Sequence, residues 1–213
     1  MDVRARGLDT DAGSSHAFSD TAPQPARWHP RPRSPFLQGR RVSTPELLFS
    51  EAEIAARVDA MARQIMALAR PPDLLVGILA GAFMMTADLA RALARQGLPL
   101  PVEFLWLRSY GEVRTGGEVR VVVGATDAVR GKHVMVVDGA LDIGRTLVKA
   151  KDLLLGCGAL TVLTAVAVDK SRPDALLRAD FAAFQGVNAF VVGYGMDDGG
   201  KGRALPYIAK AAS

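Results

Sequence analysis

Within VMVVDGALDIGRTL, Val134 to Leu147, the carboxylates of Asp138 and Asp142 stand four residues apart, followed by Gly144 and Thr146. Residues of these types in this order can handle a phosphorylated sugar. The apolar run before Asp138 reads as a buried strand, and Arg145-Thr146-Leu147 as the opening of a helix. Backbone N–H groups in the first turn of a helix have no intrahelical partner, and the helix dipole favours an anion there. Gly144 lets the backbone approach closely and Thr146 adds a hydroxyl donor, so residues 142–146 can cradle a phosphate. Asp138, further back, can accept from sugar hydroxyls or from a hydrated metal. Taken alone, the loop is equally well described as a strand-to-helix turn with polar caps, because short glycine motifs recur widely.

The loop needs rigid support, and the pattern of the chain supplies it. Ser50 with Glu53 forms a capping box, and Ile54, Val58, Met61, Ile65 and Leu68 make one apolar helix face. LLVGILAG reads as a buried strand ending at Gly81, and MMTADLARALARQG as a helix closed by Gly97. VEFLWLRSY and EVRVVVG are further strands, joined by the glycine-rich, mobile connection YGEVRTGGE. After VMVVDG come the helix RTLVKAKDLLLGCG, the strand LTVLTAVAVDK, the strand AFVVGYGMD and a short tail. Short apolar runs alternating with amphipathic helices predict βαβ units and an α/β fold with a mostly parallel sheet. Ligands of such sheets bind outside the carboxyl ends of the strands. There the chain places Leu79 to Gly81, the DGALDIGRT loop, Val168 to Lys170, and GYGMDDGGKGR. Glycines, carboxylates and cations converge in these loops.

Composition narrows the class. The 213 residues suffice for one good-sized domain, and 49% hydrophobic with 23% charged content is ordinary for a globular protein. A single cysteine, Cys157, excludes an internal disulfide and a thiolate zinc site, and fits a reducing cytoplasm. The longest apolar stretch is broken by Gly77 and Gly81 and contains Asp88, so no membrane span is expected. The net charge of +4 comes largely from Arg4, Arg6, Arg27, Arg31, Arg33, Arg40 and Arg41. Aromatics make up 6%, with no basic run interleaved among them, which argues against nucleic acid as the partner. Residues 1–41 are rich in Pro and Arg without hydrophobic period and are expected to be disordered, leaving 42–213 as the folded domain. Histidine carries none of the expected chemistry: His16 and His29 fall in that extension, and His133 precedes a strand.

The strand-loop-helix stretch resembles the phosphoribosyl pyrophosphate motif of the type I phosphoribosyltransferases. Residues 46–213 more closely resemble the hypoxanthine-guanine branch: LRSYGEVRTGGEVRVV is similar to its flexible loop, AVDK to its purine-recognising lysine segment, and AFVVGYGMD with ALPYIA to its C-terminal signature. This resemblance implies a Rossmann-like, mostly parallel sheet flanked by helices, with a small hood. It implies transfer of a phosphoribosyl group from phosphoribosyl pyrophosphate to a 6-oxopurine, hypoxanthine or guanine, in purine salvage. Asp142 would accept the proton of the purine ring nitrogen. The loop Asp138, Gly139, Ala140, Leu141, Asp142, Ile143, Gly144, Arg145 and Thr146 would hold the ribose and its 5′-phosphate. Lys170 would contact the 6-oxo group, Phe190 would stack on the base, and the Val191 backbone would meet its edge. Asp197 and Asp138 would hold Mg2+, Arg203 the pyrophosphate, and Ala80-Gly81 would belong to the pyrophosphate loop. Ser109 and Tyr110 would close as a lid that excludes water. A homodimer or tetramer is implied as well.

Three positions depart from the family pattern. Gly139 replaces one acid of an adjacent pair, Ile143 a hydroxyl residue, and Ala80 a common lysine. Each uncompensated loss removes about 1–3 kcal/mol of binding. A second reading follows, in which the fold survives as a catalytically impaired nucleotide sensor or regulator.

Overall fold

The structure, a computed structural model, describes residues 46–110 and 118–211. The described elements are β1 (Glu46–Phe49), α1 (Glu51–Met66), β2 (Leu74–Leu79), α2 (Phe83–Arg95), β3 (Val102–Tyr110), β4 (Glu118–Val123), β5 (His133–Leu141), α3 (Arg145–Gly156), β6 (Thr161–Asp169), β7 (Phe181–Gln185), β8 (Val191–Val192) and β9 (Ile208–Lys210). The extension at 1–41 and residues 111–117 of the expected lid lie outside the described residues.

Six strands form the central sheet in the order β4-β3-β2-β5-β6-β7, all parallel except β4, which runs antiparallel to β3 at one edge. The expected α/β sheet is therefore present, with crossovers through α2 and α3. Its two faces are covered differently. On one side α1 and α2 bury Ile54, Val58, Met61, Ile65, Met85, Leu89 and Leu93 against Leu75, Met135 and Val137. On the other, α3 lays Leu147, Ala150 and Leu154 over Val134, Val136, Leu105 and Val166. The central strands β2, β5 and β6 are buried on both faces, which is why they read as unbroken apolar runs rather than alternations.

Helix α1 begins where its capping box places it. Ser50 Oγ accepts from the Glu53 N–H at 3.3 Å, and Glu53 Oε2 accepts from the Ser50 N–H at 2.8 Å. The Ser50 hydroxyl, which donates to Glu53 Oε2 at 2.6 Å, and after it the Ser50 N–H hold the Glu53 carboxyl below its ordinary range.

AFVVGYGMD departs from the expected extra strand of the main sheet. Only Val191–Val192 is extended, and it pairs antiparallel with β9, which also pairs with β1. The resulting three-stranded sheet, β1-β9-β8, provides the small hood. Beyond it, Gly193, Tyr194 and Gly195 take φ values of +95°, +50° and +96°, which no strand sustains. The main sheet is instead closed by β7, a short FAAFQ segment absent from the sequence reading. Asp180 positions it: its Oδ2 accepts from both the backbone N–H and the hydroxyl of Thr164 at 2.8 Å, tying the start of β7 to β6.

Among the described residues, no helix is long and apolar enough to cross a membrane.

Candidate active site

Strands β2, β5 and β6 end side by side, at Leu79, Leu141 and Asp169. The Lys170 N–H donates to the Leu141 carbonyl at 3.0 Å, and the Leu176 N–H to the Ile143 carbonyl at 2.8 Å, so the segment after β6 braces the loop after β5. Around these ends lies a cavity of about 220 Å³ lined by Gly81, Asp138, Gly139, Ala140, Asp142, Lys170, Phe190, Val191, Met196, Asp197 and Arg203. Larger hollows exist, of about 520 Å³ along β7 and α1 and about 370 Å³ between α1 and α2, but their walls lack this set of glycines, acids and cations.

At one end of the cavity, Lys170 Nζ donates to Asp142 Oδ2 at 2.8 Å and stands 6.0 Å from the centre of the Phe190 ring. The Lys170 side chain is only 14% exposed, so its charge is held in the cavity rather than carried out to solvent. Ser171 follows at φ +53°, held by an Asp169 carboxylate oxygen that accepts its N–H at 2.6 Å. This left-handed residue turns the chain so that Arg172 also faces Asp142, with Nε 3.4 Å from Oδ1.

The other end is built differently. Asp138 Oδ1 accepts the Gly139 N–H at 2.7 Å, and burial pushes its carboxyl up to about 7. Asp197 is engaged twice, by Arg203 Nη2 at 2.6 Å and by the Gly200 N–H at 2.6 Å. Arg203 Nη1 donates to the Gly195 carbonyl at 2.8 Å, which fixes the guanidinium on the loop. The Leu79–Ala80 peptide is cis. The Gly81 carbonyl after it presses on two glycines: a Cβ at Gly139 would stand 2.8 Å from that oxygen, and one at Gly195 2.5 Å. Gly139 is thus both a missing acid and the only residue type the packing admits without movement. Behind the loop, the Tyr194 hydroxyl donates to Asp88 Oδ2 at 2.7 Å, while Asp88 also pairs with Arg91. Burial and that carboxylate hold the Tyr194 hydroxyl far above its ordinary range.

The remaining expected residues lie alongside. Gly144 caps α3 at φ +92°, and a Cβ there would meet Leu141 Cδ1 at 3.0 Å, so the loop's approach to the helix requires glycine. Ile143, Arg145 and Thr146 flank it at the helix start. The Leu141 side chain is packed in the core, leaving only its backbone to the loop. Ser109 and Tyr110 end β3. Met196, Arg172 and Asp174 were not anticipated; the signal for the last two was the charge pair directly after the Val168–Lys170 motif.

Magnesium can be tested against the donor set. Among the described residues no group of three His, Cys, Asp or Glu side chains could hold a metal. Mg2+ needs less protein than that, since one or two carboxylates plus waters and substrate phosphates suffice. Asp138, desolvated with a single amide donor, gains from a divalent cation, and Asp197 faces the same cavity. The donor set fits.

Kinship agrees with the geometry. A family model for the phosphoribosyl transferase domain matches residues 47–198. The hypoxanthine-guanine phosphoribosyltransferase of Crithidia fasciculata is 34% identical over 187 residues, covering 86% of this chain and 87% of that protein. Its counterpart in Aquifex aeolicus is 36% identical over 176 residues, covering 81% and 96%. The hypoxanthine phosphoribosyltransferase of Trypanosoma cruzi, solved in complex with the product IMP, superposes with a TM-score of 0.70 at 32% identity, covering 82% of this chain and 98% of that one. Loop, cavity and ancestry coincide over most of the folded part, and the chain belongs to the phosphoribosyltransferase family, in its hypoxanthine-guanine branch.

Proposed function

We propose that the chain is a hypoxanthine-guanine phosphoribosyltransferase of purine salvage, transferring phosphoribosyl from phosphoribosyl pyrophosphate to a 6-oxopurine. The observation that carries this is the convergence of Asp138, Asp142, Lys170, Phe190, Asp197 and Arg203 on one cavity at the carboxyl ends of β2, β5 and β6. Kinship favours the enzyme over a non-catalytic sensor.

In the reaction the bond from the sugar's C1′ to a pyrophosphate oxygen breaks, and the electron pair leaves with pyrophosphate. A purine ring nitrogen forms the new bond to C1′, and the proton the ring gives up passes to Asp142. The amides of residues 142–146 hold the 5′-phosphate at the N-terminus of α3. Lys170, now on Asp142 Oδ2, donates to the 6-oxo group. Phe190 lies against the base and the Val191 backbone meets its edge. Arg203 takes the pyrophosphate, Ala80-Gly81 borders it, and Ser109 with Tyr110 belongs to the segment that closes over the site. Asp138 and Asp197 hold Mg2+, which when bound neutralises charge on the leaving group.

We place the protein in the cytoplasm as a homodimer or tetramer. The association is supported by apolar side chains on β3 and β4 left open: Phe104 is 40% exposed, Trp106 37% and Val123 51%. Sedimentation at micromolar concentration should show no monomer, and a purely monomeric profile would reject it.

The direct test incubates protein with phosphoribosyl pyrophosphate, Mg2+ and hypoxanthine or guanine. Pyrophosphate and the nucleoside monophosphate should accumulate, and EDTA should stop them. No turnover with any purine would overturn the proposal.

A further inference from the structure

We infer that Arg172, fixed by Asp174, is a positioning residue that charge-balances the enclosed oxygen of Asp142 when the purine recruits Lys170, so that the oxygen Lys170 vacates can accept the ring proton. The inference rests on the functional reading above, in which Asp142 takes the proton and Lys170 meets the 6-oxo group.

Asp142 presents two unlike oxygens. Oδ2 accepts from Lys170 Nζ at 2.8 Å. Oδ1 is enclosed yet has no hydrogen-bond partner among the described residues. An enclosed carboxylate oxygen without a donor is costly unless a cation stands near or a ligand completes it. The cation is Arg172, whose Nε lies 3.4 Å from Oδ1 without the alignment of a hydrogen bond. The reason for the misalignment is visible. Arg172 Nε and Nη2 donate to the two oxygens of Asp174, at 2.9 Å each, a fork that sets the plane of the guanidinium. Arg172 therefore supplies positive charge to Asp142 but spends its donors elsewhere.

The consequence appears when a base enters. The 6-oxo group competes with Asp142 Oδ2 for the Lys170 ammonium. As it turns away, Arg172 is the cation that stays beside the carboxylate. Oδ1 stays enclosed beside Arg172, and Oδ2, which Lys170 vacates, is left open to the ring N–H. Asp174 thus acts through Arg172, and Arg172 through Asp142.

Steady-state kinetics of three variants of the full chain tests this. Arg172→Gln should lower kcat about 10- to 100-fold with KM for phosphoribosyl pyrophosphate within twofold of wild type, and Arg172→Lys should recover most of the loss. Asp174→Asn releases the fork that holds Arg172 beside Oδ1, and should also lower kcat about tenfold although it makes the site more positive. A role in charge alone expects no loss there. In the double variant the two losses should not add. Arg172 is 43% and Asp174 56% exposed, so neither change opens the core, and thermal melts within a few degrees of wild type would confirm that. If the wild-type chain turns over and Arg172→Gln or Asp174→Asn keeps kcat within twofold, this inference is overturned alone. If the wild-type chain forms no nucleotide, it falls together with the functional reading.

Discussion

The two ends of the cavity solve the same problem, holding charge at the edge of a buried sheet, in opposite ways. At the Asp142 end a carboxylate is surrounded by cations: Lys170 at 2.8 Å, Arg172 at 3.4 Å, and Asp174 anchoring the arginine. At the Asp138 end the carboxylate has one amide donor, and the space beside it is filled by backbone, with the Gly81 carbonyl lodged against Gly139 and Gly195. The first end works through side-chain electrostatics. The second is a packing solution in which a lost acid and a close backbone approach are the same event. Substitutions at the two ends should therefore fail differently, one in rate and the other in stability.

The largest effect is expected at the Asp142 end. Asp142→Asn keeps the shape, removes the proton acceptor, and should lower kcat/KM about 10²- to 10⁴-fold with the melting temperature little changed. Loss of folding rather than of rate would erase the contrast.

The opposite signature is expected at Gly139. Restoring the family's acid with Gly139→Asp places a Cβ 2.8 Å from the Gly81 carbonyl and 3.0 Å from Met196 Cγ, so the loop must shift. Overpacking of this kind costs about 1–3 kcal/mol, several degrees of melting temperature for a domain of this size, and activity should fall rather than rise. A more active, equally stable variant would show that the loop yields and that only the carboxylate was missing.

A smaller effect sharpens the contrast through pH. Burial raises the Asp138 carboxyl from 3.8 to about 7, so between those values the folded chain keeps a proton that the unfolded chain has released. Asp138 therefore lowers stability progressively as pH rises through that window, and the penalty is complete above about 7. Without Mg2+, Asp138→Asn should be more stable than wild type at pH 8 by about 1–2 kcal/mol, discounted because the residue is partly exposed, with no gain at pH 4. Denaturant unfolding at both pH values measures it. An equal difference at both would mean that the carboxylate is well solvated.

What could be read from the sequence divides along the same line. Buried strands, the capping box and amphipathic faces were legible because burial imposes a period on the residues themselves. Asp142, Lys170, Asp197 and Arg203 were legible because their types recur in a family's order, and the structure brings them around one cavity. The rest depended on distances between distant segments. That Gly139 is demanded by Gly81 needs a contact across 58 positions, and nothing local to either residue announces it. Arg172 and Asp174 join the site only because the left-handed Ser171 turns the arginine toward Asp142 and Asp174 holds it there. β7 stayed hidden because five residues of FAAFQ carry neither a long apolar run nor alternation, and its edge position is fixed by Asp180 reaching Thr164. β8 and β9 were missed as a sheet because each is too short to show a period and exists only through pairing.

The central claim is that the residues following Asp138 seat a sugar phosphate while the Lys170 and Phe190 side chains take the base. A crystal structure with IMP tests it most directly. The phosphate should lie on the amides of residues 142–146, the purine should rest against Phe190, and Lys170 should have left Asp142 for the 6-oxo group, with Arg172 still beside the carboxylate. IMP bound elsewhere, or bound here with the Lys170–Asp142 bond intact, would contradict the account.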